Sequence, residues 1–423
     1  MDAHRPPGIA AVNSADVSIE SIAAGGDGIA RANGVVVFVP RGAPGDVVRV
    51  AIDERKRFAR GTIETILTPS PDRVDPLCYH YRMDKCGGCQ LQHLNYDAQV
   101  RAKQVIIRDS LTRIGKRSVD LPSVEGSPIQ WRYRRKLTLA IRRARRAGDW
   151  VIGLHRYDDP VGIFQLADCP ITDERVLRVW RQIMEARQHF PPGDELRAAV
   201  QLLEDGASVV MEGANAWPAR SEFFDAVPLA TSVWWRPAHR ARMLVAERGR
   251  TFGEASFAQV NAAVGARLHE YVLERARHHR PSRVVDAYAG AGATAIPLAA
   301  DGAHVTAIEL DRDAVARCAA LLPEGSEAIA ARVEDVIARV LPADVVLINP
   351  PRTGVHETVA HVMESLDTPP RALIYVSCDP ATLARDLTRM PRYRIESLRA
   401  FDMFPQTAHV ETVCELVPAT AAA

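Results

Sequence analysis

From about residue 253 onward the chain alternates between two kinds of segment, and this alternation restricts its fold more than any other feature. Val284-Val285, His304-Val305-Thr306-Ala307-Ile308, Asp344-Val345-Val346-Leu347-Ile348 and Ala372-Leu373-Ile374-Tyr375-Val376 are short runs rich in apolar residues, with helical stretches between them. A strand with one wet face alternates polar and apolar residues. Apart from the first half of the run at His304, these do not, so both of their faces are expected to be buried. Strands joined by helices lie parallel, with helices on either side. The pattern predicts a doubly wound, Rossmann-like α/β sheet over residues 251–423.

The upstream part reads differently. Residues 35–39, 46–52 and 61–67 are short strand-like runs set off by glycine turns. Such spacing predicts a small β-barrel over residues 15–70, after a flexible stretch over residues 1–14. Residues 95–115 carry Val100, Ile107, Leu111 and Ile114 at loosely helical spacing. Between residues 71 and 250 strands and helices mix without a repeat, which suggests a central α+β domain. A length of 423 residues suits such a division. The formal net charge is +1, so a nucleic-acid surface would have to come from local clusters. The N-terminal Met1-Asp2-Ala3-His4-Arg5-Pro6-Pro7 lacks the apolar core of a signal peptide, and no apolar run suits a bilayer. A soluble cytoplasmic protein is expected, without membrane association or an evident obligate protein partner.

After the first strand of the α/β unit comes Asp286-Ala287-Tyr288-Ala289-Gly290-Ala291-Gly292-Ala293-Thr294. Gly290 and Gly292 would let the backbone turn tightly and approach a ligand. The next strand ends at Glu309, where a carboxylate can bind both ribose hydroxyls of a nucleotide-like cofactor. NAD enzymes share that device. Asn349-Pro350-Pro351-Arg352, after a later strand, tilts the choice to S-adenosylmethionine, because such a tetrapeptide closes that pocket in many methyltransferases. Asp335 stands where an acceptor for the adenine amine is expected.

Tyr375-Val376-Ser377-Cys378-Asp379-Pro380 ends a buried strand, and strand C-termini face the ligand crevice of such sheets. Cys378 is therefore either a thiol aimed at the cofactor or a small buried hydrophobe. Cys318 and Cys414 read as packing residues. The seven cysteines are odd in number and follow no signal peptide, which argues against a disulfide framework.

The segment from Tyr375 through Asp386 and the segment Asp402-Met403-Phe404-Pro405-Gln406-Thr407-Ala408-His409-Val410-Glu411 resemble the two signatures of the RNA uracil-C5 methyltransferase family. Ser256-Phe257-Ala258-Gln259-Val260-Asn261 is similar to the motif that opens its catalytic domain. The likeness runs nearly end to end, and the N-terminal barrel looks like an OB-like TRAM domain, an RNA-binding module. The resemblance implies methylation of a uridine at carbon 5 in ribosomal or transfer RNA. It makes Cys378 the nucleophile that adds to carbon 6 and Glu411 the base that removes the carbon 5 proton. A thiolate is needed for the first step, so the surroundings are expected to lower the thiol's pKa. Gln259, Tyr288, Gly290, Gly292, Ala293, Glu309, Asp335 and Asn349 would line the cofactor pocket. Asn349 stands where the family usually has Asp, and Ala293 where it often has Asn.

Cys78, Cys86, Cys89 and the distant Cys169 could grip zinc or an iron–sulfur cluster. Family resemblance implies a 4Fe–4S cluster, although the gap from Cys78 to Cys86 is longer than that pattern. Eight cations fall within the sixteen residues 131–146, among them Arg132, Arg134, Arg135, Lys136, Arg142 and Arg143. Interleaved with Trp131 and Tyr133, they suit phosphate contact and base stacking, or else form a solvated face. The leading reading is a uridine-C5 methyltransferase acting on 23S ribosomal RNA, with transfer RNA next. Asn349 also suits an enzyme acting on exocyclic amines. A non-enzymatic RNA-binding iron–sulfur protein is a third possibility.

Overall fold

The computed structural model describes residues 13–54, 58–144, 149–203, 206–249 and 259–419. Three sheets organise them. The first runs in the order Asn13–Ser18, Val47–Glu54, Ala59–Thr68, Val35–Val39, Gly28–Ala32, Ser21–Ile22. Val17, Val37, Val39, Val48 and Val50 meet in one small core, so the sheet curls around its own apolar face.

The second sheet has seven strands, ordered Ile163–Gln165, Trp150–His155, Lys136–Arg143, Glu195–Leu202, Ala207–Glu212, Ala230–Arg236, Met243–Glu247. Along Lys136–Arg143 the residues Leu137, Leu139 and Ile141 are buried and their neighbours are not. That period of two turns one face toward the helices Glu174–Glu185 and Arg220–Ala226.

The third sheet has eight strands, in the order Glu327–Ala330, His304–Glu309, Arg283–Ala287, Val345–Ile348, Ala372–Ser377, Glu411–Pro418, Tyr393–Phe401, Ser123–Glu125. The first five are parallel, and Glu411–Pro418 runs antiparallel beside Ala372–Ser377. Successive side chains enter different cores: Val284 packs with the helix Ala262–His278, and Val285 with Val333–Val340 and Pro380–Leu387. Helices therefore cover both faces, as the continuous apolar runs require. Strand order reverses between Arg283–Ala287 and Val345–Ile348, and a crevice opens there at the strand C-termini.

One boundary differs from the sequence reading. The helix Tyr96–Arg113 and strand Ser123–Glu125 fall inside the expected central unit of residues 71–250, yet both join the third sheet. Ile107 and Leu111 are wholly buried against the same core as Leu383 and Leu387, and that burial decides where the helix sits. The expected boundary near residue 250 lies outside the described residues, as do Ser256, Phe257 and Ala258. Among the described residues no helix is long and apolar enough to cross a membrane.

Candidate active site

A cleft of about 920 Å³ occupies the crevice of the third sheet. Gln259, Tyr288, Gly290, Ala293, Glu309 and Asn349 line it. The turn after Arg283–Ala287 takes left-handed backbone at Tyr288 (φ 65), Gly290 (φ 56) and Gly292 (φ 87). A side chain at Gly290 would meet nothing, so this backbone is bare toward the cleft. Gly292 is different: it faces inward, where a Cβ would lie 2.5 Å from Cys318 Sγ. It seats the turn on the helix Arg312–Leu321 and does not line the cleft.

Glu309 is clamped at its strand end. Its Oε1 accepts from Leu310 N–H (2.7 Å) and Asp311 N–H (2.9 Å), and its Oε2 accepts from Gly290 N–H (3.0 Å). A carboxylate fixed in this way presents its remaining lone pairs in one direction. Asp335 is a correction. It is exposed and outside the cleft, whereas Glu334 lines the cleft and pairs with Arg332 at 2.8 Å. Val333, Val336 and Ile337 are the buried face of their helix, and that phase turns Asp335 outward.

Two residues of the site escaped the sequence reading. Asp286 is buried, lines the cleft and accepts a hydrogen bond from Thr294 Oγ1 at 2.5 Å. Burial pushes its carboxyl up to about 7. The second is Arg352, which follows the Asn-Pro-Pro turn and reaches the thiol of Cys378.

Ser377 and Thr412 are paired across the neighbouring antiparallel strands, so the next residues outward, Cys378 and Glu411, meet at the strand ends. Burial raises the Cys378 thiol and the charge of Glu411 adds to this, while Arg352 opposes both. The expectation of a lowered thiol pKa is therefore not met, because burial outweighs the Arg352 cation. Burial also lifts Glu411 to about 7, with Arg352 alone acting against it.

The four cysteines converge as well. Cys78, Cys86, Cys89 and Cys169 are all buried and line one cavity of about 100 Å³. The long gap from Cys78 to Cys86 holds the short helix Tyr79–Met83, which returns the chain to the cavity. Gly88 N–H points at Cys86 Sγ at 3.4 Å. Burial pushes Cys86 up to about 12 and raises Cys89 and Cys169 too. Among the described residues no three His, Cys, Asp or Glu side chains stand close enough to hold one metal ion. Zinc would need four sulfurs at about 2.3 Å from a single point. Four buried thiols around one cavity are a soft donor set, of the kind that zinc and iron–sulfur centres take.

The basic run divides. Arg132 is bound to Asp168 (2.9 Å) and Glu174 (2.9 Å), and Arg135 donates to Leu203 O at 3.2 Å, so both serve the fold. Tyr133 is buried and donates to Pro405 O at 3.0 Å, which removes it as a stacking platform. Arg134 lines the cysteine cavity. Lys136 keeps an exposed surface, while partial desolvation of its ammonium group, followed by the charges of Arg242, Arg134 and Arg197, lowers its pKa. Arg142 lies 3.4 Å from Glu195, and Arg143 sits 4.2 Å over the ring of Trp150. Arg145 and Arg146 lie outside the described residues.

A doubly wound sheet with this crevice and a clamped strand-end carboxylate suits a nucleotide-like cofactor, and Asn349, Pro350 and Pro351 on the cleft wall select the class of S-adenosylmethionine-dependent methyltransferases. Residues 327–417 match the family model for tRNA (uracil-5-)-methyltransferase, and residues 14–63 match that of the TRAM domain. The chain is 32% identical to the 23S rRNA (uracil(1939)-C(5))-methyltransferase of Thiobacillus denitrificans, over 94% of this chain and 98% of that one. It is 30% identical to the enzyme of the same name from Methylococcus capsulatus, over 93% and 95%. The crystal structure of Pyrococcus abyssi tRNA (uracil-54, C5)-methyltransferase with S-adenosyl-L-homocysteine shares the fold, with a TM-score of 0.70 at 23% identity, over 95% of this chain and 99% of that one. The chain belongs to the RNA uracil-C5 methyltransferase family.

Proposed function

We propose that this protein methylates carbon 5 of a uridine in 23S ribosomal RNA through a covalent adduct at carbon 6. The observation that carries the reading is the meeting of Cys378 and Glu411 at adjacent strand ends, with Arg352 beside both. Carbon 5 of uracil is too weak a nucleophile by itself. Addition of the Cys378 thiolate to carbon 6 makes the ring an enolate, and carbon 5 then attacks. Bound S-adenosylmethionine supplies the electrophilic methyl group. Arg352 favours the thiolate, and Glu411, with a pKa close to neutral, is suited to take the carbon 5 proton afterwards. Loss of that proton restores the ring and expels the thiolate.

Gln259, Tyr288, Gly290, Ala293, Glu309 and Asn349 would hold the cofactor, with Glu334 taking the part expected of Asp335. Cys78, Cys86, Cys89 and Cys169 would hold a 4Fe–4S cluster, a structural group in a reaction that moves no electrons. The barrel at residues 15–70, together with Arg134, Lys136, Arg142 and Arg143, would contact RNA phosphates. The target uridine has to leave its stack to reach Cys378.

The test is incubation with S-adenosylmethionine and unmodified ribosomal and transfer RNA, then nucleoside mass spectrometry, with a Cys378→Ala control. The expected product is 5-methyluridine in 23S RNA, absent with the control. A methylated guanosine, or product that survives without Cys378, would transfer the weight to Asn349 and amine methylation. Visible absorption of the anaerobically purified protein, lost in Cys169→Ala, tests the cluster.

A further inference from the structure

Residues 402–410 form the loop that delivers Glu411; Asp402 N–H donates to Glu125 O of its own sheet (2.8 Å), and further anchors come from outside it. Gln90 N–H and Leu91 N–H both donate to Gln406 O (3.1 and 3.0 Å). Gln99 brackets the same residue, accepting from Gln406 N–H (2.8 Å) and donating to Gln406 Oε1 (3.0 Å). Lys103, wholly buried, pairs with Asp402 and donates to Phe404 O at 3.0 Å. At the end nearest Glu411, a tie from outside the loop is the side chain of Gln90. Gln90 Oε1 accepts from Ala408 N–H at 3.3 Å, while Gln90 Nε2 donates to Gly87 O at 2.8 Å, inside the turn between Cys86 and Cys89. The barrel closes over this bridge: at Gly26 (φ +90) a Cβ would lie 2.4 Å from Gln90 Cβ and 3.2 Å from Ala408 Cβ.

We propose that Gln90 is a positioning residue for Glu411, tying the loop at residues 402–410 to the turn between Cys86 and Cys89. The proposal rests on Glu411 being the base. Cys378 hangs from a different element, the strand Ala372–Ser377, which makes no hydrogen bond to Gln90. A disturbance at Gln90 therefore reaches the Glu411 end of the loop directly, and Ser377 only through its pairing with Thr412. In the second half of the reaction the Glu411 carboxylate takes the proton from carbon 5. The electrons of the broken C–H bond form the carbon 5–carbon 6 double bond, and the carbon 6–sulfur bond breaks with its pair going to sulfur. If the carboxylate is displaced, adduct formation persists and adduct release slows.

Full-length protein is mixed with S-adenosylmethionine and unmodified 23S transcript. The covalent RNA–protein band is followed on a denaturing gel, with Cys378→Ala and Glu411→Gln run alongside. Gln90→Met, which removes both hydrogen bonds, is expected to form the adduct at the wild-type rate and release it about tenfold more slowly, so that the band persists. Gln90→Glu keeps the acceptor for Ala408 N–H and is expected to recover most of the release rate. Hydrogen exchange in Gln90→Met is expected to quicken at residues 402–411 and not at Ala372–Ser377. Wild-type release, a parallel fall of formation and release, or exchange quickened throughout the chain would each overturn the proposal. If Glu411→Gln traps the adduct and Gln90→Met does not, the base stands and the positioning role fails. If Glu411→Gln traps nothing, both fail.

Discussion

Glu411 and Glu415 lie four residues apart on one strand, and their surroundings divide them. Glu415 is wholly buried, yet its Oε2 accepts from Arg275 Nε (2.8 Å) and Ser397 Oγ (2.8 Å), and its Oε1 meets His279 Nε2 at 2.6 Å. Against the burial that would raise it, these partners hold its carboxyl below the usual range. Glu411 has one cation, Arg352, and burial lifts it to about 7. Burial does not by itself set the state of a carboxylate; the number of donors that meet the charge does. The far end of the strand is a completed network that serves the fold, and at the end beside Cys378 a single cation, Arg352, meets the carboxylate.

The largest break in this comparison is expected from the end beside Cys378. Cys378→Ala should remove 5-methyluridine formation by several orders of magnitude without lowering the melting temperature. Glu411→Gln should slow turnover by about 10²–10⁴ and leave RNA covalently attached, read on a denaturing gel. Because Glu411 acts as a base only when ionised and its pKa is raised to about 7, turnover should rise with pH through that value. A flat profile between about pH 6 and 8 would remove Glu411 from the proton step.

Glu415→Gln should do the opposite: adduct release per folded molecule stays as it was, while stability falls by about 3 kcal/mol. A carboxyl held low in the folded state stabilises above its unfolded pKa, and that contribution is lost as pH falls through the folded value. Acid melting should therefore shift in wild type and flatten in Glu415→Gln. The smallest effect concerns the neighbouring acids of the cleft. Glu334→Gln should weaken S-adenosylmethionine binding several-fold and Asp335→Asn should not, as measured by calorimetry. Equal effects would restore Asp335 to the site.

The parallel sheet was legible because burial on both faces leaves continuous apolar runs. Residues 344–348 and 372–376 appear as Val345–Ile348 and Ala372–Ser377, buried throughout. The cysteines were legible by residue type, although the return of Cys78 depends on a five-residue helix with no strong period. Arg352 was not legible, since an arginine after two prolines resembles any solvated cation until Cys378 and Glu411 are brought to it. Arg132 carried the reverse error: its partners Asp168 and Glu174 lie more than thirty residues along the chain, and density of charge cannot show that it is already neutralised. Asp335 was a matter of helix phase, where one position separates the cleft from solvent.

The strand Ser123–Glu125 has a consequence for anyone who would cut this molecule apart. It is the outermost member of the third sheet, beside Tyr393–Phe401, and it comes from before the seven-stranded sheet in the chain. A fragment beginning near residue 250 would lack it and would also lack the helix Tyr96–Arg113. It would unpair Arg399, Ala400 and Phe401 at the edge of the sheet, next to an uncovered apolar surface. Such an edge recruits other chains. The catalytic half of this protein thus depends, for its sheet edge and for the cover of one apolar face, on sequence that lies more than a hundred residues upstream.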